Sequence, residues 1–291
     1  MRIPVVFAFN DKYAAPAAVA IKSLIHKGRK DTEYDIYIIT SSLSVENRRA
    51  IERIARVAWL DAGEIFHYCP VTEEYPVDVY ARLAIPSLLP QYDKIIYSDV
   101  DVLFRTDLSE LYGLDMVGYD WAGVPVEKNV DHTYLCGGGM SGHQKFAENT
   151  NECIFATGLM LINAKRWREN HLLDRALEAV DYYGDRLKMF DLDVLNNICQ
   201  GSIRPLSLRW CAFEDLVSAR RVSDTALYPF LAEIYSKQEI EEAAARPAII
   251  HYTGVNSIRV WDRELTSCPA IYRYYKRLEV TRCDGAARTG R

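Results

Sequence analysis

The sequence predicts an α/β fold, a mostly parallel mixed sheet flanked by helices with a helical tail at the C-terminus. Three observations carry the prediction. Through the first hundred residues, short β-branched and aromatic runs alternate with helical stretches, the pattern of strands joined by crossover helices. The first strand is apolar along its length, as a strand covered on both faces is. A later apolar run, Ile95-Ile-Tyr97, ends in Asp99-Val-Asp101, so carboxylates collect where a strand finishes, the edge at which such sheets bind ligands.

Residues 3–9 read as a buried strand, broken by Asn10-Asp11-Lys12-Tyr13. A helix follows with Ala17, Ala20, Ile21, Leu24 and Ile25 on one side. Residues 34–40 give a second strand, and Ser44 opens a helix with Val45, Ile51 and Ile54 as its apolar stripe. A short strand is predicted near 64–68, then a loop bounded by Pro70 and Pro76. A helix runs from Val79 to the Pro86 and Pro90 punctuation, and the strand before Asp99 comes next.

The second half is less regular. Residues 119–150 read as loop around Cys136-Gly-Gly-Gly-Met-Ser-Gly142, a glycine run without the Lys-Ser/Thr of a phosphate loop, suited to a lid or an acceptor loop. Residues 154–163 are strand-like with a break at Thr157-Gly158, and 165–183 read as one helix with Trp167 in its packing face. Another helix opens at Asp191, where acids in the first turn also suit plain N-terminal capping. A short helix at 239–245 and a final strand at 247–254 complete the domain, set at residues 1–265. In the tail, 266–291, basic and aromatic residues alternate, with six Arg/Lys against two acids from residue 270 onward. Such a segment suits an anionic membrane surface, or a docked helix with solvated charges. Its last residues, 284–291, are expected to be disordered.

Composition excludes several classes. A net charge of −5 gives no nucleic-acid footprint. Seven cysteines without a C-x-x-C pair point to reduced thiols, away from a disulfide framework or zinc knuckle. The N-terminal apolar run is too short for a signal peptide, and no apolar run reaches the ~18 residues of a membrane span. The expected location is cytoplasmic, peripheral at most.

Asp99 and Asp101 alternate on an extended chain and so share a face, with Val100 turned into the core. Two adjacent carboxylates in apolar surroundings repel each other and resist desolvation, and a hard divalent cation relieves both problems. Taken alone, they could equally be two solvated acids in a turn.

Longer stretches decide between these. Tyr80-Ala-Arg-Leu-Ala-Ile-Pro86 followed by Leu89-Pro-Gln-Tyr-Asp-Lys-Ile-Ile-Tyr-Ser-Asp-Val-Asp101 resembles the arginine helix and D-x-D strand of the family 8 glycosyltransferases. Phe155-Ala-Thr-Gly158 resembles that family's F-N-A-G segment, Asp191-Leu-Asp193 its D-Q-D, and His251-Tyr-Thr-Gly254 its H-x-x-G. The resemblance runs in order from about residue 3 to 265. It implies a Rossmann-like GT-A fold and retaining transfer of a hexose, galactose or glucose, from a UDP-sugar to a glycan or glycolipid acceptor. It implies Mn²⁺, or Mg²⁺, held by Asp99, Asp101 and His251. The donor nucleotide would meet Ala8, Phe9, Asn10 and Tyr13 after the first strand, and Ser98, Asp99, Val100 and Asp101 after the D-x-D strand. Ala156, Thr157, Asp191, His251, Gly254 and Arg259 complete that set, with Arg82, Asp191 and Leu192 at the reacting centre. Asp11 would share the nucleoside with Asn10, and Arg82 would clamp sugar or phosphate through its planar fork.

Two positions depart from the pattern. Ala156 replaces the usual Asn and Leu192 the usual Gln, removing two amides from the sugar's expected surroundings. Leu192 offers no nucleophilic atom, which favours same-face attack over a covalent route. The departures leave room for a non-catalytic or mainly hydrolytic sugar-nucleotide binder. Phosphoryl transfer of the haloacid-dehalogenase kind is disfavoured, because its acids follow the first strand.

Overall fold

The computed structural model describes residues 1–63, 65–72, 77–129, 151–187, 189–253, 259–264 and 268–279. Ten strands form two sheets: β1 (Arg2–Ala8), β2 (Glu33–Ile39), β3 (Val57–Leu60), β4 (Ile95–Ser98), β5 (Val102–Phe104), β6 (Trp121–Lys128), β7 (Cys153–Ile162), β8 (Ile203–Pro205), β9 (Ala212–Phe213) and β10 (Ile249–His251). The larger sheet has the order β3-β2-β1-β4-β7-β6-β8, and the smaller β5-β10-β9. β1 pairs in parallel with β2 and β4, and β2 with β3. β7 runs antiparallel between β4 and β6, while β8 returns parallel to β6.

Among the described residues, eleven α-helices accompany the strands: α1 (Ala14–Lys27), α2 (Val45–Ile54), α3 (Ala81–Leu88), α4 (Ser109–Tyr112), α5 (Ala164–Glu169), α6 (Leu172–Tyr183), α7 (Asp191–Ile198), α8 (Glu214–Ser218), α9 (Tyr228–Leu231), α10 (Lys237–Ala245) and α11 (Ala270–Arg277). The two-residue period of β1 divides its side chains between two cores. Ile3, Val5 and Phe7 join α1 on one face, and Val6 joins α3 and the α5–α7 segment on the other. Burying each such side chain is worth about 1.5–3 kcal/mol, in keeping with the wholly apolar run from Ile3 to Ala8. Capping follows the sequence: Ser44 accepts from Asn47 N at the start of α2, and Ser236 and Glu239 form a capping box on α10.

Four sequence expectations change. The third strand lies at 57–60, where Val57-Ala-Trp-Leu60 continues the parallel ladder beside β2, and 65–68 are turn, with Phe66 stacked beneath Tyr80. Residues 121–128 are strand, not loop. Gly123 and Pro125 hide the pattern, and Pro125 is tolerated because a register shift follows it against β7. The helix expected at 165–183 is two, since His171 adopts a left-handed φ of 51° and starts a new axis. Helix α3 continues past Pro86 to Leu88, losing only the bond that Pro86's missing N–H would have given Arg82's carbonyl. The glycine run at 136–142, Gly254 and residues 280–291 lie outside the described residues.

The tail helix α11 docks against α1. Tyr272 and Tyr275 are buried with Val19, Tyr252 and Val260, and His26 meets the rings of Tyr274 and Tyr275 edge-on. Lys276 and Arg277 remain exposed.

Candidate active site

The chain crosses from one sheet to the other at residues 99–101. β4 ends at Ser98 in the large sheet, and β5 begins at Val102 in the small one. Asp99 and Asp101 occupy the bend, while Val100 is buried in the core as expected. The single mixed sheet expected from the sequence would carry the strand of His251 alongside that of the two acids. Instead His251 ends β10, between β5 and β9, and reaches the acids across the junction. His251 Nε2 stands 3.1 Å from Asp101 Oδ1 and 3.9 Å from Asp99 Oδ2. One donor atom from each of the three residues lies within 4.8 Å of the other two.

This charge set is self-consistent. Burial alone would push the Asp101 carboxyl up, but the imidazole of His251 and the nearby Arg259 outweigh it and hold it below the usual range. Burial likewise works against the His251 cation, yet Asp101 raises its pKa well above the ordinary histidine value. The 3.1 Å separation and these two directions together favour an ion pair between Asp101 and His251. Gly158 flanks them, and a Cβ there would lie 2.6 Å from His251 Cε1 and 2.9 Å from Asp99 Oδ2.

Arg82, near the start of α3 and 6% exposed, ties the site together from below. It donates to Thr157 O at 2.8 Å and to Asp99 Oδ1 at 3.0 Å. Its Nε is 3.2 Å from Asp191 Oδ2, close enough for an ion pair although the N–H is not aligned as a hydrogen bond. The guanidinium lies 4.4 Å over the Tyr97 ring, and Tyr97 donates its own hydroxyl to Asp99 Oδ1 at 2.7 Å. In this structure the arginine fork is taken up by protein oxygens and orients two carboxylates.

Asp191 opens α7 and accepts from Thr157 Oγ1 at 2.9 Å. Burial raises its pKa to about 6, with Arg82 opposing and the charge of Asp99 reinforcing the shift. Phe190 immediately before it has a φ of 48°, an uncommon conformation for a bulky residue, and its buried ring packs edge-on against Tyr80. The two acids of this motif divide. Asp193 turns back to accept from Met189 N, ahead of the helix, at 2.8 Å, whereas Asp191 faces the cleft. Asn196 grips β7 from the same helix, bonding Phe155 N and O at 2.8 and 2.9 Å just before Ala156.

These groups line one cleft of about 430 Å³. Of the residues singled out in sequence, Ala8, Phe9, Asn10, Tyr13, Arg82, Asp99, Val100, Asp101, Ala156, Thr157, Asp191, Leu192, His251 and Arg259 all line it. Ser98 does not reach it: strand alternation turns the side chain inward, and its hydroxyl donates to Asp99 O. Asp11 faces a neighbouring depression and accepts from Ser44 N and Asn47 Nδ2. Arg259 donates to Thr253 O and sits 3.6 Å from Asp101 Oδ2. Sequence reasoning gave no role to Tyr97, Gly158, Phe213 or Cys211. Tyr97-x-Asp99 was visible as a same-face pair; the others signal themselves only in three dimensions.

The donor set fits a hard or borderline divalent cation, two carboxylates and one imidazole. Neighbouring octahedral ligands each about 2.1 Å from an ion are about 3 Å apart, close to the Asp101–His251 separation. The bare Cα of Gly158 leaves the flank of that cradle open.

The two-sheet architecture and the cleft at its junction are those of a GT-A-type fold. Residues 4–264 match the family model described as "Glycosyl transferase family 8", and the chain belongs to that family. A Haemophilus influenzae protein that carries a glycosyltransferase name is 28% identical over 71% of this chain and 62% of its own length, so the chain spans under two thirds of that relative. The lipopolysaccharide 1,2-glucosyltransferase of Escherichia coli is 22% identical over 65% of this chain and 56% of its own length. Among solved structures, the galactosyltransferase LgtC, crystallised with donor and acceptor sugar analogues, superposes with a TM-score of 0.73. It is 24% identical, with 94% of this chain and 95% of LgtC covered, and shares the fold.

Proposed function

We propose that the protein is a metal-dependent retaining hexosyltransferase, moving galactose or glucose from a UDP-sugar to a glycan or glycolipid acceptor. The convergence of Asp99, Asp101 and His251 beside Gly158, in the lining of the 430 Å³ cleft, carries this reading. Those three residues would hold Mn²⁺, or Mg²⁺. When bound, the cation supplies charge stabilisation to a leaving diphosphate.

The chain's own residues set the rest. Ala8, Phe9, Asn10 and Tyr13 line the nucleoside end of the cleft, and Arg82 fixes Asp99 and Asp191 in mutual register. Leu192 has no atom that could form a covalent glycosyl bond. Retention then calls for attack by the acceptor hydroxyl on the face the diphosphate leaves. The C1–oxygen bond to the phosphate breaks as the new glycosidic bond forms, and the hydroxyl proton passes to the departing phosphate oxygen. Asp191 and Thr157 would position the sugar beside that exchange. We place the reaction in the cytoplasm, with the exposed basic residues of α11 meeting an anionic membrane.

A second reading, a binder or hydrolase of sugar nucleotides, is favoured by one observation: Ala156 and Leu192 put apolar surface into the cleft. UDP-hexoses incubated with Mn²⁺ and candidate acceptors, read by mass spectrometry, separate the two. Glycosylated acceptor is expected. UDP and free hexose alone would favour hydrolysis, and turnover by Asp101→Asn in metal-stripped buffer would sink the metal-dependent assignment.

A further inference from the structure

The metal reading leaves one feature unexplained, the surroundings of the histidine's other ring nitrogen. His251 Nδ1 points away from Asp101, into the small sheet, and its hydrogen-bond partner among the described residues is Cys211 Sγ, 3.3 Å away. Both residues are buried, Cys211 at 2% and His251 at 7% exposure. The register of the sheet makes the contact. β9 pairs in parallel with β10, so Phe213 lies opposite His251 and stacks on its ring with planes 17° apart. Cys211 comes just before β9 and is thereby carried to the ring edge. Gly158 closes on Cε1 from the other side.

An imidazole can present only one bare nitrogen to a cation while the other carries a proton, and the partner of the protonated nitrogen decides which is which. At most metal-binding histidines that partner is a carboxylate, a carbonyl or a water. Here the buried wall supplies a cysteine sulfur, a weak acceptor beside those groups. We infer that Cys211 is a positioning residue for the metal centre: its sulfur accepts the Nδ1–H of His251 and leaves Nε2 facing Asp99 and Asp101. This rests on the metal reading given above. It assigns Cys211 a function beyond packing, and it predicts that a hydrogen-bond acceptor at residue 211, rather than its volume, sets cation affinity.

The test titrates Mn²⁺ into the full chain with UDP present, reading free ion by electron paramagnetic resonance, for the parent, Cys211→Val, Cys211→Ser and His251→Ala. Melting temperatures in EDTA are recorded alongside. Valine fills the space of the thiol without an acceptor, whereas serine keeps one. Cys211→Val is expected to weaken Mn²⁺ binding by about 10–100-fold, and Cys211→Ser to stay within about threefold of the parent, with melting in EDTA unrelated to the difference. Parent-like affinity in Cys211→Val overturns the inference. So does an equal loss in Val and Ser variants that melt equally early, the mark of packing alone. A parent that binds Mn²⁺ no better than His251→Ala overturns the metal reading and this inference with it, an outcome distinct from the other two.

Discussion

Gly158 and His251 face each other so closely that a single methyl group on the glycine would lie 2.6 Å from the imidazole. The same methyl would lie 2.9 Å from Asp99 Oδ2, so relief by moving one neighbour crowds the other. Gly158→Ala is therefore expected to displace two ligands at once. Calorimetric titration with Mn²⁺ and UDP should show at least a tenfold loss of affinity, in keeping with the effect of disturbing groups that orient metal ligands. Parent-like affinity would mean that the cradle yields more readily than the distances suggest.

Metal removal and pH are linked through the same histidine. The raised pKa of His251 and the lowered pKa of Asp101 stabilise the metal-free protein between those two values. That contribution fades as pH rises through the first or falls through the second. A cation must displace the Nε2 proton. Mn²⁺ affinity should thus increase with pH, with up to one proton released per ion. Titrations in buffers of different ionisation enthalpy count it, and a proton count of zero at neutral pH contradicts the ion pair.

Asp191 gives a stability signature of its own. Its carboxyl shifts from 3.8 to about 6 on folding, so the neutral form suits the fold. The associated penalty is absent below pH 3.8, grows as pH rises and is complete above about 6, where it amounts to about 3 kcal/mol. Asp191→Asn removes the titration. Its melting temperature relative to the parent should climb between pH 4.5 and 7, and a flat difference would show that Arg82 already neutralises the charge.

Leu192→Gln and Ala156→Asn restore amides to the cleft. On the proposed reading β1 and the turn after it hold the nucleoside, so UDP affinity should remain within about threefold. The ratio of transfer to hydrolysis with UDP-glucose or UDP-galactose should move by tenfold or more, since gained or lost hydrogen bonds discriminate sugars strongly. Product analysis by mass spectrometry reads the ratio, and an unchanged value removes these two positions from donor handling.

The exposed basic face of α11 can be tested without touching its docking. Lys276→Glu with Arg277→Glu leaves Tyr272 and Tyr275 buried, and should lower binding to phosphatidylserine vesicles at least tenfold at low salt. Unaltered sedimentation with vesicles would leave the helix a structural one.

β1 and β4 were legible because they are apolar runs bounded by strong breakers, and β2 because its Ile and Tyr residues cluster as strand formers do. The sequence also exposed Asp99, Asp101 and Arg82, whose residue types are costly in apolar surroundings. It hid β6, where Gly123 and Pro125 interrupt a strand that its neighbours nevertheless hold. The turn at His171 was equally silent, because a left-handed residue other than glycine leaves no compositional trace. Most of what surrounds His251 was invisible for a different reason: Cys211 and Phe213 reach it through the register of the small sheet and Gly158 comes from the large one, juxtapositions a linear reading cannot supply.

The bend at residues 99–101 has a consequence for how the protein comes into being. Asp101 and His251 are 150 positions apart, and the strand carrying His251 must insert between β5 and β9 before they meet. A nascent chain emerging from the ribosome can assemble the nucleoside edge early, but not the cation cradle. On the metal-dependent reading proposed above, activity would then wait until synthesis has passed residue 251.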